Sequence, residues 1–172
     1  CGGPGGTGNQ VAALCNGLSA DPGIEVVLAY AVRPGSTPLE YEALAAGAAR
    51  CHYLPEMGRE LSPVRDLLAW WRLLRLFREE RPDIVHAHSS KAGWLGRTAA
   101  WAAGVPIILY SPRGYAFLQT DRPVLSRWLY LALERSVSWI GEVVAVSDGE
   151  AQLARRRAWA KRVKVLRDAY LG

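Results

Sequence analysis

The chain has 172 residues, of which 50% are hydrophobic and 22% are charged, which is the composition of a folded domain with a sizeable core. It excludes intrinsic disorder, and no low-complexity stretch or long linker divides it, so we expect a single domain over residues 1–172. No window holds about 18 uninterrupted apolar residues, which excludes a membrane-spanning helix. The three cysteines are sparse and widely spaced, which favours reduced thiols over a disulfide framework and predicts a cytoplasmic protein.

Positive charge is concentrated in the second part of the chain. Of the 21 lysines and arginines, 18 follow residue 60, where 10 acidic residues accompany them and leave a net charge of +8. A basic surface suits anionic partners such as nucleic acid, acidic lipid or phosphorylated small molecules. No nucleic-acid-binding motif accompanies this charge, so we expect no nucleic-acid partner.

Apolar runs of strand length alternate with amphipathic runs of helical length along the whole sequence. This alternation predicts an α/β fold, a doubly wound and mostly parallel sheet with helices on both faces. The predicted helices lie at residues 9–20, 39–47, 63–80, 92–103, 124–140 and 148–159. The predicted strands lie at residues 25–31, 50–54, 83–86, 105–110, 142–146 and 163–166. A glycine-rich turn that enters a helix normally follows a strand, so we also expect a first strand to be truncated.

The glycine-rich turn before the first predicted helix is a candidate anion-binding element. Gly5, Gly6, Thr7 and Gly8 offer backbone N–H groups and the positive end of a helix dipole, which favour a phosphate. The segment lacks the Gly-Lys-Ser/Thr of a Walker loop and the glycine spacing of the dinucleotide fingerprint. A plain tight turn is the alternative interpretation.

Polar residues also cluster where predicted strands end, which is where wound sheets bind ligands. The first cluster contains His86, His88, Ser89, Ser90 and Lys91. The two histidines project to the same side of an extended chain, but no third ligand of suitable type and spacing accompanies them, so we expect no metal site. The serines offer hydroxyls to a sugar or phosphate, or alternatively cap the next helix.

Two further polar segments follow later strands. Arg113 is placed to reach a phosphate and Tyr115 to pack against a sugar, whereas Phe117 is better suited to the core. Ser147 has the same topological position, although N-capping alone accounts for it. Because the carboxyl ends of parallel strands meet at one edge, we expect Gly6, His88, Arg113 and Ser147 to line one concave surface.

The predicted helix at residues 63–80 interleaves tryptophans and leucines with arginines. At 100° per residue a wide apolar arc forms, leaving Leu73 and Leu76 on the opposite side among charges. The arc consists of Val64, Leu67, Leu68, Trp70, Trp71, Leu74 and Phe77. One interpretation is a core helix whose extra leucines meet a neighbouring helix or a second subunit, and the other is a helix that lies on an anionic membrane surface.

Several segments together resemble the amino-terminal half of family 4 (group 1) glycosyltransferases. They are residues 5–11, 82–97 and 104–106, continued by Glu134 and residues 144–147, and they cover nearly the whole chain. The run His-Ala-His-Ser-Ser-Lys-Ala-Gly at 86–93 is the most specific part. The resemblance implies the GT-B architecture, in which two Rossmann-like domains face each other across a cleft. The amino-terminal domain chiefly binds the acceptor, and the other holds the nucleotide sugar.

The resemblance also implies roles by position. It places the glycine turn near the donor diphosphate, and His88, the two serines and Lys91 in the cleft wall, to which we add His86, Tyr115 and Ser147. His88 and Arg113 are the candidates nearest the chemistry, although the family usually has a histidine at the position of Arg113. Residues 1–172 do not include the family's nucleotide-sugar domain with its paired glutamates, so we expect the chain alone to be inactive.

These observations lead to one principal hypothesis and two alternatives. The principal hypothesis is the acceptor-binding half of a retaining glycosyltransferase that moves a sugar from a nucleoside diphosphate sugar to a glycan or polyprenyl-linked acceptor, without a cofactor or metal. One alternative is a nucleotide-binding Rossmann module of a dehydrogenase or sugar-nucleotide epimerase, although no acidic residue ends the strand at 25–31. The other is a non-enzymatic peripheral membrane or protein-interaction domain. A membrane partner would place the protein on the inner face of the membrane.

Overall fold

The structure is a computed structural model that describes residues 6–32, 35–58 and 60–167. The chain divides into two compact units, Cys1–Arg72 and Leu73–Gly172. Parallel sheets flanked by helices make up the fold, so the predicted α/β class is confirmed. Within the described residues, no helix is long and apolar enough to cross a membrane.

The first unit combines a two-stranded parallel sheet with helices. Its elements are α1 (Gly6–Leu18), β1 (Val27–Tyr30), α2 (Pro38–Leu44), β2 (Arg50–Tyr53) and the first part of α3 (Pro63–Glu80). β1 and β2 pair in parallel with Val27 opposite Arg50. The core of this unit is formed by Ala12, Cys15, Leu28, Tyr30, Tyr41 and Ala45.

The start of α2 shows how local sequence fixes an element in this unit. The Thr37 hydroxyl accepts a hydrogen bond from the Glu40 N–H at 3.3 Å, and the Glu40 carboxylate accepts one from the Thr37 N–H at 3.1 Å. Pro38 occupies the first turn, where its missing N–H has no consequence. These two reciprocal bonds form a capping box that begins the helix at Pro38.

The second unit is built on a four-stranded parallel sheet in the order β3-β4-β5-β6. After the end of α3, its elements are β3 (Ile84–His88), α4 (Ser90–Ala103), β4 (Ile107–Ser111), a 3₁₀ turn (Ala116–Leu118), α5 (Val124–Ser136), β5 (Glu142–Ala145), α6 (Asp148–Arg156) and β6 (Val163–Val165). One core cluster is formed by Val85, Ala100, Ile108, Val137 and Ile140. Gly104 ends α4 in the left-handed conformation with φ of 78°, as its position after the helical run predicts.

Several observed elements are shorter than predicted, such as α5, which ends at Ser136 rather than at residue 140, and three further differences bear on the site. The described strands form two parallel sheets rather than one. Helix α1 already begins at Gly6, so Gly6, Thr7 and Gly8 lie in its first turn. Strand β3 continues to His88 because a parallel ladder pairs backbone groups whatever the side chains, and His88 lies opposite Ser111 of β4.

The structure shows which side of α3 is buried, a point that the sequence left open between two interpretations. Leu73 and Leu76 are 4% and 8% exposed, and so belong to the buried side of the helix. Much of the apolar arc faces solvent instead: Val64, Leu67, Leu68 and Trp71 are each more than half exposed. Apolar residues occupy both sides of this helix, so the helical period alone did not determine which side is buried.

Helix α4 and strand β4 approach so closely that a glycine is required between them. A Cβ atom on Gly93 would lie 2.2 Å from the ring of Tyr110, far inside van der Waals contact. Tyr110 is 1% exposed, so its ring has no free space into which to move.

We expect Gly93→Ala to destabilise the protein by about 1 to 3 kcal/mol, because overpacking outweighs the gain of roughly 1 kcal/mol in helix propensity. Urea unfolding measures this change. The matched control is Gly17→Ala in α1, where a Cβ would meet nothing within 4 Å and stability should stay the same or rise. Equal effects of the two substitutions would contradict the close approach.

Candidate functional site

Polar side chains of β3 and β4 meet at the carboxyl edge of the second unit's sheet. His86 and His88 alternate along β3 with the buried residues Val85 and Ala87. The two imidazole rings lie 4.1 Å apart between centroids and are tilted by 37°. Both rings are only partly buried, so they remain within reach of a ligand.

The hydrogen bonds of His86 fix its tautomer. The Ser111 hydroxyl donates its single proton to the Val144 carbonyl at 3.0 Å. The His86 Nε2, 2.9 Å from the same hydroxyl, must therefore carry the proton and donate it. Burial, with a smaller contribution from Arg113, lowers the pKa of His86 to about 4. His86 is thus a neutral imidazole with its proton on Nε2.

His88 is held in the same tautomer by a different partner. The Arg113 Nε donates to the His88 Nδ1 at 3.3 Å, so the proton of this imidazole lies on Nε2. Burial lowers the pKa of His88 to about 2, with smaller contributions from His86 and Arg113. The edge therefore presents two neutral imidazoles beside a permanent guanidinium cation, a set suited to bind hydroxyls and an anion.

The segments that follow β3, β4 and β5 are joined at this edge. The Glu150 carboxylate accepts hydrogen bonds from the Gly114 N–H at 3.0 Å and the Val146 N–H at 2.9 Å. Two residues at the edge, Ser89 and Arg113, adopt positive φ values of 71° and 49°. Such backbone conformations are unfavourable for non-glycine residues and tend to occur at functional sites.

A buried ionic network lies beneath the edge. The Arg97 guanidinium donates to the Glu134 carboxylate at 2.7 Å, and both side chains are 2% exposed. The Tyr110 hydroxyl donates to the same carboxylate at 2.5 Å, and Ser90 also hydrogen-bonds it. Burial raises the pKa of the Glu134 carboxyl, while Arg97 and these hydrogen bonds oppose the rise. The arrangement lets a carboxylate and a guanidinium compensate each other in the core.

The remaining predicted residues of this unit have different surroundings. Ser89 makes no side-chain cap, whereas the Ser147 hydroxyl caps α6 by accepting from the Glu150 N–H at 3.2 Å. Ser90, Lys91 and Tyr115 are 6%, 7% and 1% exposed. The ring of Tyr115 stacks on Phe117 with centroids 4.8 Å apart, and its contact with a sugar stays a prediction. Phe117 fills the core, as its sequence suggests.

The glycine turn belongs to the first unit. Gly5 lies outside the described residues, and Gly6, Thr7 and Gly8 form the start of α1. The Tyr41 hydroxyl donates to the Gly8 carbonyl at 3.2 Å, which ties this turn to α2. The role of the turn at a donor diphosphate stays a prediction.

Sequence reasoning missed the residues that support the edge. The sequence assigns no role to Arg97 or Tyr110. It offers Glu150 only as an acidic residue of a capped first turn, and Glu134 only as part of the resemblance. Arg97 is one of two charged residues, with Lys91, in the largely apolar helix α4, and this is the one signal that marks it. Among the residues that the structure describes, no three His, Cys, Asp or Glu side chains come together to hold a metal ion.

The sequence matches the family described as glycosyl transferase 4-like domain over residues 5–168, and the chain belongs to this family. The family expected from the sequence is therefore confirmed, and neither the dehydrogenase nor the epimerase alternative gains support. The chain is 40% identical over 83 residues to the UDP-Gal:alpha-D-GlcNAc-diphosphoundecaprenol alpha-1,3-galactosyltransferase of Escherichia coli, covering 46% of this chain and 21% of that protein.

Two further relatives are also glycosyltransferases. The capsular polysaccharide biosynthesis glycosyltransferase CapM of Staphylococcus aureus is 31% identical over 97 residues, which cover 56% of this chain and 25% of CapM. The UDP-N-acetylglucosamine--N-acetylmuramyl-(pentapeptide) pyrophosphoryl-undecaprenol N-acetylglucosamine transferase of Cronobacter sakazakii is 33% identical over 58 residues, 34% of this chain and 16% of that enzyme. The matched part of the chain thus spans no more than 25% of these relatives' own length.

The lowered pKa values of the two histidines predict a loss of stability in acid. Below the ordinary histidine pKa of about 6.5, His86 and His88 bind protons in the unfolded chain but stay unprotonated in the folded one. The free energy that the two neutral histidines contribute to stability is therefore fully present above that pH. It is lost as the pH falls towards the pKa of about 4 for His86 and about 2 for His88. We expect a loss of roughly 1 kcal/mol per pH unit for each histidine, measured by urea unfolding between pH 7 and 5.

The double variant His86→Gln/His88→Gln should flatten this dependence. The matched control is His52→Gln in β2 of the first unit, which should keep it. A double variant with the same slope as the parent chain would show that these histidines do not cause the dependence.

Proposed function

We propose that this chain is the acceptor-binding part of a retaining glycosyltransferase that transfers a sugar from a nucleoside diphosphate sugar to a glycan or polyprenyl-linked acceptor. The observation that carries the proposal is the contact of Arg113 with His88 at the carboxyl edge of a parallel sheet, in a chain of a glycosyltransferase family. Ligands bind at such edges in wound α/β folds.

The chemistry of this edge fits a sugar linked to diphosphate. A guanidinium binds phosphate oxygens through paired N–H donors, and Arg113 supplies it beside the histidines. Neutral imidazoles exchange hydrogen bonds with sugar hydroxyls without adding charge. The names of two relatives specify diphosphoundecaprenol or pyrophosphoryl-undecaprenol acceptors, which supports an acceptor of this class.

The other assignments extend the same proposal. Residues 1–172 act as one Rossmann-like domain, with the turn of Gly5, Gly6, Thr7 and Gly8 near the donor diphosphate. His86, Ser89 and Ser147 line the acceptor side, while the buried Ser90, Lys91 and Tyr115 support it. The reaction needs positioning and stabilisation of the leaving diphosphate, which a bound metal does not have to supply.

Acceptor binding tests this function directly. The probe is a water-soluble short-chain prenyl diphosphate that carries N-acetylglucosamine, titrated into the chain by calorimetry. We expect Arg113→Gln to weaken binding about tenfold or more, because a charge-assisted hydrogen bond contributes about 1.5 to 3 kcal/mol.

The control variant is His52→Gln, which should bind the probe like the parent chain. A second probe, in which an uncharged linker replaces the diphosphate, should bind weakly to all variants. Equal affinity of the parent for both probes, or an unchanged affinity of Arg113→Gln, would contradict the proposal.

We further propose that the amino-terminal part of α3 rests on an anionic membrane surface and so brings the enzyme to a lipid-linked acceptor. Its exposed residues Val64, Leu67, Leu68 and Trp71 have the spacing of one helical stripe. Exposed arginines flank this stripe at positions 65, 72 and 75. The ion pairs of Arg72 with Glu56 and of Arg75 with Glu79 are exposed, so they hold their arginines only weakly.

Vesicle binding tests the α3 stripe. We expect Leu67→Ser/Leu68→Ser to lower partitioning onto phosphatidylglycerol vesicles about tenfold, since two leucines lose apolar contact, while the melting temperature changes little. Binding should weaken with salt and be absent on phosphatidylcholine. Helix α5 provides the matched control, because Leu125 and Leu129 are also 81% and 48% exposed. If only Leu125→Ser/Leu129→Ser lost binding, the assignment to α3 would be wrong.

A further inference from the structure

The segment that carries Arg113 adopts a backbone conformation that needs support. Arg113 and the following Gly114 both have positive φ, of 49° and 86°. For arginine this conformation is unfavourable, so it persists only where the surroundings impose it. Arg113 is also the residue whose Nε reaches the His88 ring.

Glu150 supports this segment from α6. Its side chain is buried, with 8% of the residue exposed, although it lies in the first turn of the helix. One carboxylate oxygen accepts from the Gly114 N–H, directly after Arg113, and the other accepts from the Val146 N–H. In an ordinary capping box a glutamate at this position would accept from the N–H of Ser147. The side chain of Glu150 instead spans two loops.

Ser90 supports the same segment from α4. Its hydroxyl accepts from the Ala116 N–H at 3.0 Å. It also hydrogen-bonds the Glu134 carboxylate, and since that group accepts, the Ser90 proton points to Glu134. The ion pair of Glu134 with Arg97 keeps this carboxylate in place. Two buried carboxylates thus fix the backbone at residues 114 and 116.

We infer that Glu150 and Ser90 are positioning residues, which hold the main chain at Gly114 and Ala116 so that Arg113 stays hydrogen-bonded to His88. They act through the backbone and touch no substrate. The functional importance of this contact rests on the proposed function, but the contact itself is measurable without any ligand.

Histidine NMR provides the test, because the sequence contains only 3 histidines. In the parent chain, labelled at the imidazole nitrogens, His88 should show one tautomer with an unprotonated, hydrogen-bonded Nδ1. Glu150→Gln keeps the shape but replaces one acceptor oxygen by a donor NH₂ group. We expect His88 in this variant to become a mixture of both tautomers. Ser90→Ala, which removes the partner of the Ala116 N–H, should have the same effect.

Tyr115→Phe is the matched control within the same segment. The Tyr115 hydroxyl is buried and has no hydrogen-bond partner among the described residues, so its removal should leave the His88 signal unchanged. A folded Glu150→Gln or Ser90→Ala variant with the parent His88 spectrum overturns the inference. Failure of both variants to fold overturns it as well, because the residues would then be general determinants of stability.

The two proposals fail separately. If the His88 spectra change as expected while the prenyl diphosphate probe does not bind, the positioning role stands and the proposed function fails. If the probe binds and depends on Arg113 while the spectra of the variants match the parent, the function stands and the positioning role fails. If both hold, Glu150→Gln should weaken probe binding in the same direction as Arg113→Gln.

Discussion

The second unit depends on the ion pair of Arg97 with Glu134. Both groups are almost completely buried, and a buried charge without its partner would be very costly. The central carbon of the Arg97 guanidinium also lies 4.0 Å from the centroid of the Tyr110 ring. The Tyr110 hydroxyl in turn donates a hydrogen bond to the Glu134 carboxylate. The network thereby joins α4, β4 and α5. Because α4 is fixed on the sheet, Ser89 and Ser90 at its start are fixed at the carboxyl edge.

The chemistry of the edge follows from this framework. Parallel strands bring the segments after β3, β4 and β5 together, and the carboxylates of Glu134 and Glu150 hold them there. Burial keeps His86 and His88 neutral, so no imidazolium cation repels the neighbouring Arg113 guanidinium. A cation next to two neutral hydrogen-bonding groups is the chemical basis of the diphosphate-linked sugar acceptor proposed for this edge.

The sequence predicted the elements well where local signals are strong. The predicted helix at residues 63–80, the terminating Gly104 and the alternation of strands with helices all correspond to the observed elements. It left the buried side of α3 open, because apolar residues lie on both sides of the helix and local periodicity has no unique solution. It also ended β3 too early, because polar side chains at the carboxyl edge of a sheet resemble the end of a strand.

The sequence by itself determined the family, the α/β class and the fact that polar segments follow the strands at His88, Arg113 and Ser147. Only the tertiary structure decided which of these residues touch, which tautomers the histidines adopt and which carboxylates hold the Arg113 segment. The reason is that each of these contacts joins residues far apart in the chain, such as Arg97 with Glu134 or Gly114 with Glu150. Helical and strand periodicities describe only neighbouring residues, so such contacts arise when the sheet and its helices pack.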